Sequence, residues 1–368
     1  MKRAGPLLLL SGLPLSRKPS FLRQLTLLAS VWNHRGRETF LCGPVFPEGT
    51  VGVAVPSDPL WRLQNGGQDH RGFGEVVVRT AAEAVIALGY PDQFPFLYEK
   101  REIGIPCFLW SQFSRVPGQA LPEQPVYIPL TGKTESFLRL AGCSRIGPII
   151  PHGVDSRRFT PQPEPLRSRL KRTHGLRECF VVGSIGNNSR RKRFDLVVRS
   201  FALFTQARQN ARLMIKTDRL VSLDGVDLPA LIAREGISDR VEVIAEQRSD
   251  QELVELYNLM DLYLNLSEWE GFCIPVIEAM ACGVPVVSLP IQGPGEILPY
   301  RDTLVPGSLV QEEEGSLLYE ADPQAVCRVL LEIAEQGELR RQLSRRGRAE
   351  AESSYDIRRI VESWEAVL

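Results

Sequence analysis

Short apolar runs alternate with helical patterns along nearly the whole chain. Leu7–Leu10 is a run of four leucines, a length that suits a buried strand better than a buried helix. Phe21–Trp32 (FLRQLTLLASVW) repeats apolar residues at helical spacing and predicts an amphipathic helix. Thr39–Cys42 reads as another strand, and Glu75–Leu88 carries both a helical and a strand-like part. Cys107–Trp110, Val126–Pro129 and Gly147–Ile150 read as strands, with a helix at Glu135–Ala141. The pattern breaks over PHGVDSRRFTPQPEPLRSRLKR, from Pro151 to Arg172, where four prolines and many charges mark a linker. Beyond it, strands are predicted at Phe180–Ile185, Leu213–Lys216, Val241–Ile244, Leu262–Asn265 and Val284–Ser288. Helices are predicted at Phe194–Thr205, Leu228–Glu235, Asp250–Leu259, Pro275–Cys282, Gln324–Glu335 and Glu338–Ser353. Strands alternating with helices predict βαβ units on mostly parallel sheets, hence two α/β domains.

Composition changes this picture little. The 368 residues suit about two domains. Lys plus Arg and Asp plus Glu both number 44, so no basic excess invites nucleic acid as main partner. Seven cysteines, an odd number without C-x-x-C spacing, read as free thiols in a reducing compartment, the cytoplasm. Lys2 and Arg3 before the apolar run Pro6–Leu10 imitate a signal peptide, but Gly12 and Pro14 break the run and no A-x-A site follows. The run is read as a first strand ending in a loop. No stretch approaches the roughly 18 apolar residues of a membrane span.

The chemistry concentrates in Ser267–Leu298, SEWEGFCIPVIEAMACGVPVVSLPIQGPGEIL. Glu270 precedes a predicted helix, and Glu278 lies one turn inside it, with Pro275 suited to the first turn. Gly271 permits unusual backbone angles at the helix entrance. Outward-facing amides there would meet the positive end of the dipole, an arrangement suited to phosphate or diphosphate. A carboxylate on either side could bond sugar hydroxyls. Spacing alone also fits two surface glutamates on an ordinary loop–helix–strand.

The whole string resembles the E-x₇-E segment of retaining nucleotide-sugar glycosyltransferases of family 4, the glycosyl transferases group 1. EGFCIPVIEAMACGVPVV and GPGEIL carry the likeness, with IPHGVD at Ile150–Asp155, Ser184–Phe204 and Asp250–Leu264. The resemblance implies a GT-B fold, two Rossmann-like doubly wound domains facing each other across a cleft. It implies an acceptor-binding domain over 1–160, a donor-binding domain over 161–350, and a C-terminal helix over 351–368 crossing back to the first, with Trp364 as anchor.

Roles follow residue by residue as implications of that resemblance. Glu278 would bond the ribose hydroxyls. Glu270 would contact the transferred sugar, with the amides of Gly271, Phe272, Cys273 and Ile274 near sugar and diphosphate. Lys192, in SRRKRFD, would neutralise the diphosphate beside Arg191, the main electrostatic task of such a reaction. The bland reading of Arg190–Arg193 is a solvated basic helix start. Lys192 and Glu270 are thus the expected catalytic residues. Asn187, Thr217 and Gly12 are further donor-site candidates, because ligands of such sheets sit at the carboxyl ends of strands. The expected donor is a UDP- or GDP-sugar; no other cofactor and no metal is expected, and no Asp-x-Asp motif occurs. The acceptor is open: a glycan, a lipid-linked precursor or a small molecule.

Two departures stand out. Gly186-Asn187 replaces the family's Gly-Arg, so one phosphate-binding arginine is absent, with Arg190 or Arg191 as substitutes. Phe108-Leu-Trp-Ser-Gln112 stands where the family often has a histidine; Ser111 and Gln112 are poor proton acceptors. His34 and His70 read as exposed loop residues, and His152 in IPHGVD as structural. These departures keep a second reading open, a non-catalytic GT-B homologue that binds a nucleotide sugar or a partner enzyme. Arg23, Arg35, Arg37 and the Arg167–Arg172 cluster read as solvated faces, with peripheral contact to anionic lipid as the competing reading.

Overall fold

The computed structural model describes residues 4–11, 20–45, 50–54, 61–62, 70–94, 97, 104–113, 115–118, 120–311 and 317–368. The chain forms two compact units, residues 1–153 with 356–368, and residues 154–355.

The first unit is built on a seven-stranded sheet of order β4-β3-β2-β1-β5-β6-β7. Its strands are β1 (Leu7–Ser11), β2 (Thr39–Val45), β3 (Thr50–Ala54), β4 (Trp61–Arg62), β5 (Ala84–Leu88), β6 (Cys107–Ser111) and β7 (Val126–Pro129). β1 and β5 are buried along their whole length, which is why they read as unbroken apolar runs rather than alternating ones. β1, β2, β5, β6 and β7 pair in parallel, whereas β3 and β4 continue the edge antiparallel. The ambiguous stretch Glu75–Leu88 resolves into the end of helix α2 (His70–Thr80) and β5. Thr80 Oγ1 donates to the Val76 carbonyl at 2.8 Å, and Ala81 then turns the chain with φ +47. His70 therefore opens a helix rather than lying in a loop.

Gly147–Ile150 is not a strand. It runs beside β7 with two backbone bonds, Gly147 N–H to Tyr127 and Ile150 N–H to Pro129, both 2.9 Å. Pro148 and Pro151 remove ladder donors on either side, so no regular pairing develops. Helices α1 (Ser20–His34) and α3 (Gly132–Leu140) belong to this unit, and so does the last helix, α12 (Ile357–Glu365). Gln24 of α1 clamps Gly153, donating to its carbonyl and accepting from its N–H at 2.9 Å each. Trp364 is fully buried, edge-on to Trp110 at 5.6 Å and to Phe108 at 6.0 Å. The chain thus passes between units at 153–154 and 355–356, where the sequence suggested 160 and 351.

The second unit holds five parallel strands in the order β10-β9-β8-β11-β12. They are β8 (Phe180–Ile185), β9 (Ala211–Lys216), β10 (Val241–Ile244), β11 (Leu262–Asn265) and β12 (Val286–Ser288). The chain winds outward from β8 to one side and from β11 to the other, the doubly wound pattern whose switch point lies between these two strands. Helices α4 (Glu164–Thr173), α5 (Phe194–Ala207), α6 (Leu228–Arg234), α7 (Asp250–Leu259), α8 (Ile274–Ala281), α9 (Pro294–Ile297), α10 (Pro323–Glu335) and α11 (Gly337–Ser354) surround the sheet. A hairpin, β13 (Ser308–Gln311) with β14 (Leu317–Glu320), was not foreseen. The proline-rich linker is ordered: α4 docks on β11 through Asp261, which meets Arg167 and Lys171 at 2.6 Å each and accepts from Val181 N–H at 2.8 Å.

Candidate active site

The carboxyl ends of β8, β9 and β11 release three loops at one edge of the second sheet. Sequence-adjacent cations and carboxylates meet there. After β8 the chain makes a short 3₁₀ turn, Arg190–Lys192, before α5. Lys192 is buried, and its aliphatic stem lies against Gly186, where a Cβ would stand 2.9 Å from Cε. Gly186 is therefore what lets the lysine fold inward, and the solvated-helix reading fails for Lys192. Arg193 takes φ +50 to start α5 and holds Asp195 at 3.1 Å and the buried Glu268 at 3.4 Å.

After β11, Glu268 N–H donates to the Arg191 carbonyl at 2.8 Å, tying this loop to the first. Glu270 is buried and pairs with Lys192 and with Arg191, the latter at 2.6 Å, all on one oxygen, Oε1. Ser267 Oγ lies 3.0 Å from that oxygen and 3.0 Å from Asn265 Oδ1. Burial alone would raise the carboxyl; Lys192 and Arg191 outweigh it and hold Glu270 down at about 2. Arg191 also lies over the Trp269 ring, 5.0 Å from its centroid.

α8 begins at Ile274 with Pro275 in its first turn. The positive φ at its entrance falls on Cys273 (φ +81), not on Gly271 as expected. There the Cys273 thiol is turned inward to Asn265 Oδ1 at 3.6 Å, and the Phe272 ring packs on Tyr355 at 5.9 Å. Burial and the Glu270 charge push the Cys273 thiol up to about 12, so it stays protonated. Gly293, at φ +78, approaches Phe272 so closely that a Cβ would stand 3.0 Å from its Cα, which accounts for the glycine in GPGEIL. Only the backbone of Phe272 and Cys273 is left to serve a ligand. The N–H groups of Gly271, Cys273 and Ile274 have no intramolecular acceptor among the described residues. Glu278 is buried on α8 and accepts from Tyr257 OH at 2.8 Å. Neither glutamate is a surface residue.

The other candidates divide. Thr217, at the end of β9, is buried, and its hydroxyl lies 3.3 Å from Asp218 Oδ1. Asn187 is exposed. Its neighbour Asn188, which sequence reasoning passed over, is the buried one. Its amide donates to the carbonyls of Arg219, Leu220 and Val226 at 2.8–3.3 Å and accepts from Val226 N–H, pinning the loop after β9. Gly12 lies outside the described residues. Ser111 Oγ donates within its own strand to Leu109, and His152 is buried against Trp110 at 4.6 Å, where burial pushes it down to about 3 and keeps it neutral. Ser267, Trp269 and Tyr257 were also missed; the first two sat inside the quoted motif, whereas nothing local linked Tyr257 to Glu278. Among the described residues, no cluster of three or more His, Cys, Asp or Glu could hold a metal, and no helix is long and apolar enough to cross a membrane.

Residues 168–350 match the family described as glycosyl transferases group 1. The chain is 26% identical over 193 residues to the lipopolysaccharide core biosynthesis mannosyltransferase LpsB of Rhizobium meliloti, covering 51% of this chain and 50% of that protein. The chain thus spans about half the length of such curated relatives. The sucrose-phosphate synthase of Thermosynechococcus elongatus superposes with a TM-score of 0.77 at 18% identity, covering 99% of this chain and 98% of that one. Anabaena HepE in complex with UDP-glucose gives 0.73 at 18% identity, covering 98% and 99%. The fold is that of the GT-B glycosyltransferases, with two parallel-sheet Rossmann-like units.

Proposed function

We propose that the protein is a retaining, metal-independent glycosyltransferase that moves a sugar from a nucleotide-diphosphate donor to an acceptor hydroxyl. The observation that carries this reading is the convergence of Lys192, Arg191, Glu270 and the helix entrance Gly271–Ile274, with Glu278 one turn further on. The match of residues 168–350 to group 1 and the UDP-glucose complex of HepE support it. Lys192, Arg191 and the amides of Gly271, Cys273 and Ile274 hold the diphosphate and stabilise its charge as it leaves. Glu278, oriented by Tyr257, accepts from the ribose hydroxyls. Glu270 faces the transferred sugar.

With a neutral, buried His152 and no histidine in the Phe108–Gln112 stretch, the acceptor proton passes to the departing phosphate oxygen. The new C–O bond then forms on the face that oxygen leaves. The chain's task is orientation and charge, with no side chain taking the proton. The donor is a UDP- or GDP-sugar, the donor site lies in the second unit and the acceptor role falls to the first. The free cysteines support a cytoplasmic setting.

A calorimetric and thermal-shift screen against UDP-, GDP-, ADP- and TDP-sugars tests the reading. Stabilisation by one of them, and transfer with the donor's anomeric configuration kept, is the expected result. An inverted product would overturn retention, and binding of none would overturn the donor site itself.

A further inference from the structure

We infer that Glu270 is the resident counter-anion of the diphosphate subsite, and that donor binding proceeds by exchange: the diphosphate takes Lys192 and Arg191 from Glu270 and so releases that carboxylate to the sugar. The inference rests on reading Lys192 and Arg191 as diphosphate ligands. Both cations and Ser267 converge on one oxygen, Oε1 of Glu270. Two cations and a hydroxyl gathered on a single anionic oxygen is how a phosphate oxygen is held. The site is buried: Glu270 and Lys192 are 7% and 8% exposed. Two anions cannot share such a cluster at full charge, so carboxylate and diphosphate compete for the same cations.

Trp269 makes the exchange a short movement. Its ring carries the Arg191 guanidinium at 5.0 Å, and it is 37% exposed, so one face of the cluster is open to solvent. As Arg191 leaves Glu270 it shifts across the Trp269 ring and changes that ring's surroundings, since a guanidinium is attracted to an aromatic face as well as to a carboxylate. The arrangement also acts in reverse. Once the sugar has gone, the returning carboxylate displaces the nucleotide diphosphate and helps to expel it.

The test compares the affinities of UDP and GDP, without sugar, for the full chain and for Glu270→Gln, by calorimetry. Removing the competing charge while keeping the shape should tighten nucleotide binding by about tenfold or more, within the usual range of coupling between two sites. Equal or weaker binding by the variant overturns the exchange and leaves the donor site standing. If the unaltered protein binds no nucleotide diphosphate, the donor reading falls and the exchange with it. A second measurement needs no change at Glu270. Saturating UDP or GDP should alter tryptophan emission, and Trp269→Phe should remove that change. Binding with unaltered emission would mean that Arg191 stays in place, which also overturns the exchange.

Discussion

Lys192→Met removes a buried charge from the cluster and keeps the length of the stem that packs on Gly186. Glu270 is then left in a buried site with Arg191 and Ser267. The size of the effect follows from the carboxyl itself. In the intact cluster its pKa falls from 4.5 to about 2 against the opposing effect of burial. At about 1.4 kcal/mol for each pH unit, the cluster favours the charged form by about 3 kcal/mol. Arg191 stays, so the variant should lose about 2–3 kcal/mol, just below the usual cost of breaking a buried pair. For a unit of this size that lowers the melting temperature by about 5–10 °C. The sign with pH is determined by the depressed pKa. Ionised Glu270 contributes stability above pH 4.5, and this is lost as pH falls toward about 2. The difference between wild type and variant should therefore be widest near neutrality and shrink in acid. Transfer from the cognate donor should fall by about 10²–10³, the usual cost of deleting one group that stabilises transition-state charge. Melting curves across pH and a donor-turnover assay on the same preparations measure both. A variant that melts with wild type at every pH and transfers sugar at the wild-type rate would refute the reasoning.

Tyr257→Phe deletes the 2.8 Å bond to Glu278 Oε2 without removing the ring. It should raise KM for the donor by about tenfold, as expected for a bond to a charged group, and leave kcat within a few-fold; steady-state kinetics with varied donor shows the split. Asp261→Asn leaves Lys171, which is 7% exposed, without its counter-charge. It should cost about 3 kcal/mol, read as a lower melting temperature of the second unit. Burial would raise the Asp261 carboxyl, but Lys171 and Arg167 hold it below 3.8. The loss should therefore be full above that pH and fade below it; a loss equal at neutral and acid pH would assign it to packing instead.

Sequence pattern was sufficient for the architecture. β1, β5, β8, β11 and β12 are buried along all or nearly all of their length and appear as largely apolar runs, and all five strands of the second unit lie where their runs predict them within two residues. The helix holding Glu278 was legible too, because Pro275 in its first turn, its apolar face and Gly283 just past its end are all local signals within a short stretch of chain. Locally encoded features like these do not depend on distant chain. The antiparallel edge strands β3 and β4 and the hairpin β13–β14 were not legible, since pairing at an edge is decided by which strand lies beside it. The expected strand at Gly147–Ile150 failed for a local reason: its apolar pair was visible, but Pro148 and Pro151 left it too few donors to pair.

The candidate site divides along the same line. The contiguous string from Ser267 to Leu298 announced two carboxylates and a helix entrance. Only the folded unit brought Lys192 to Glu270 across 78 residues, and Tyr257 to Glu278 across 21. It also placed the left-handed residue at Cys273 rather than Gly271, with the thiol turned inward toward Asn265. And it buried both glutamates, which spacing alone had left at the surface. Periodicity and short motifs record what each residue does with its near neighbours. Charge pairing, burial and the sharing of one oxygen by two cations are properties of distance in space, and those only the tertiary structure decides.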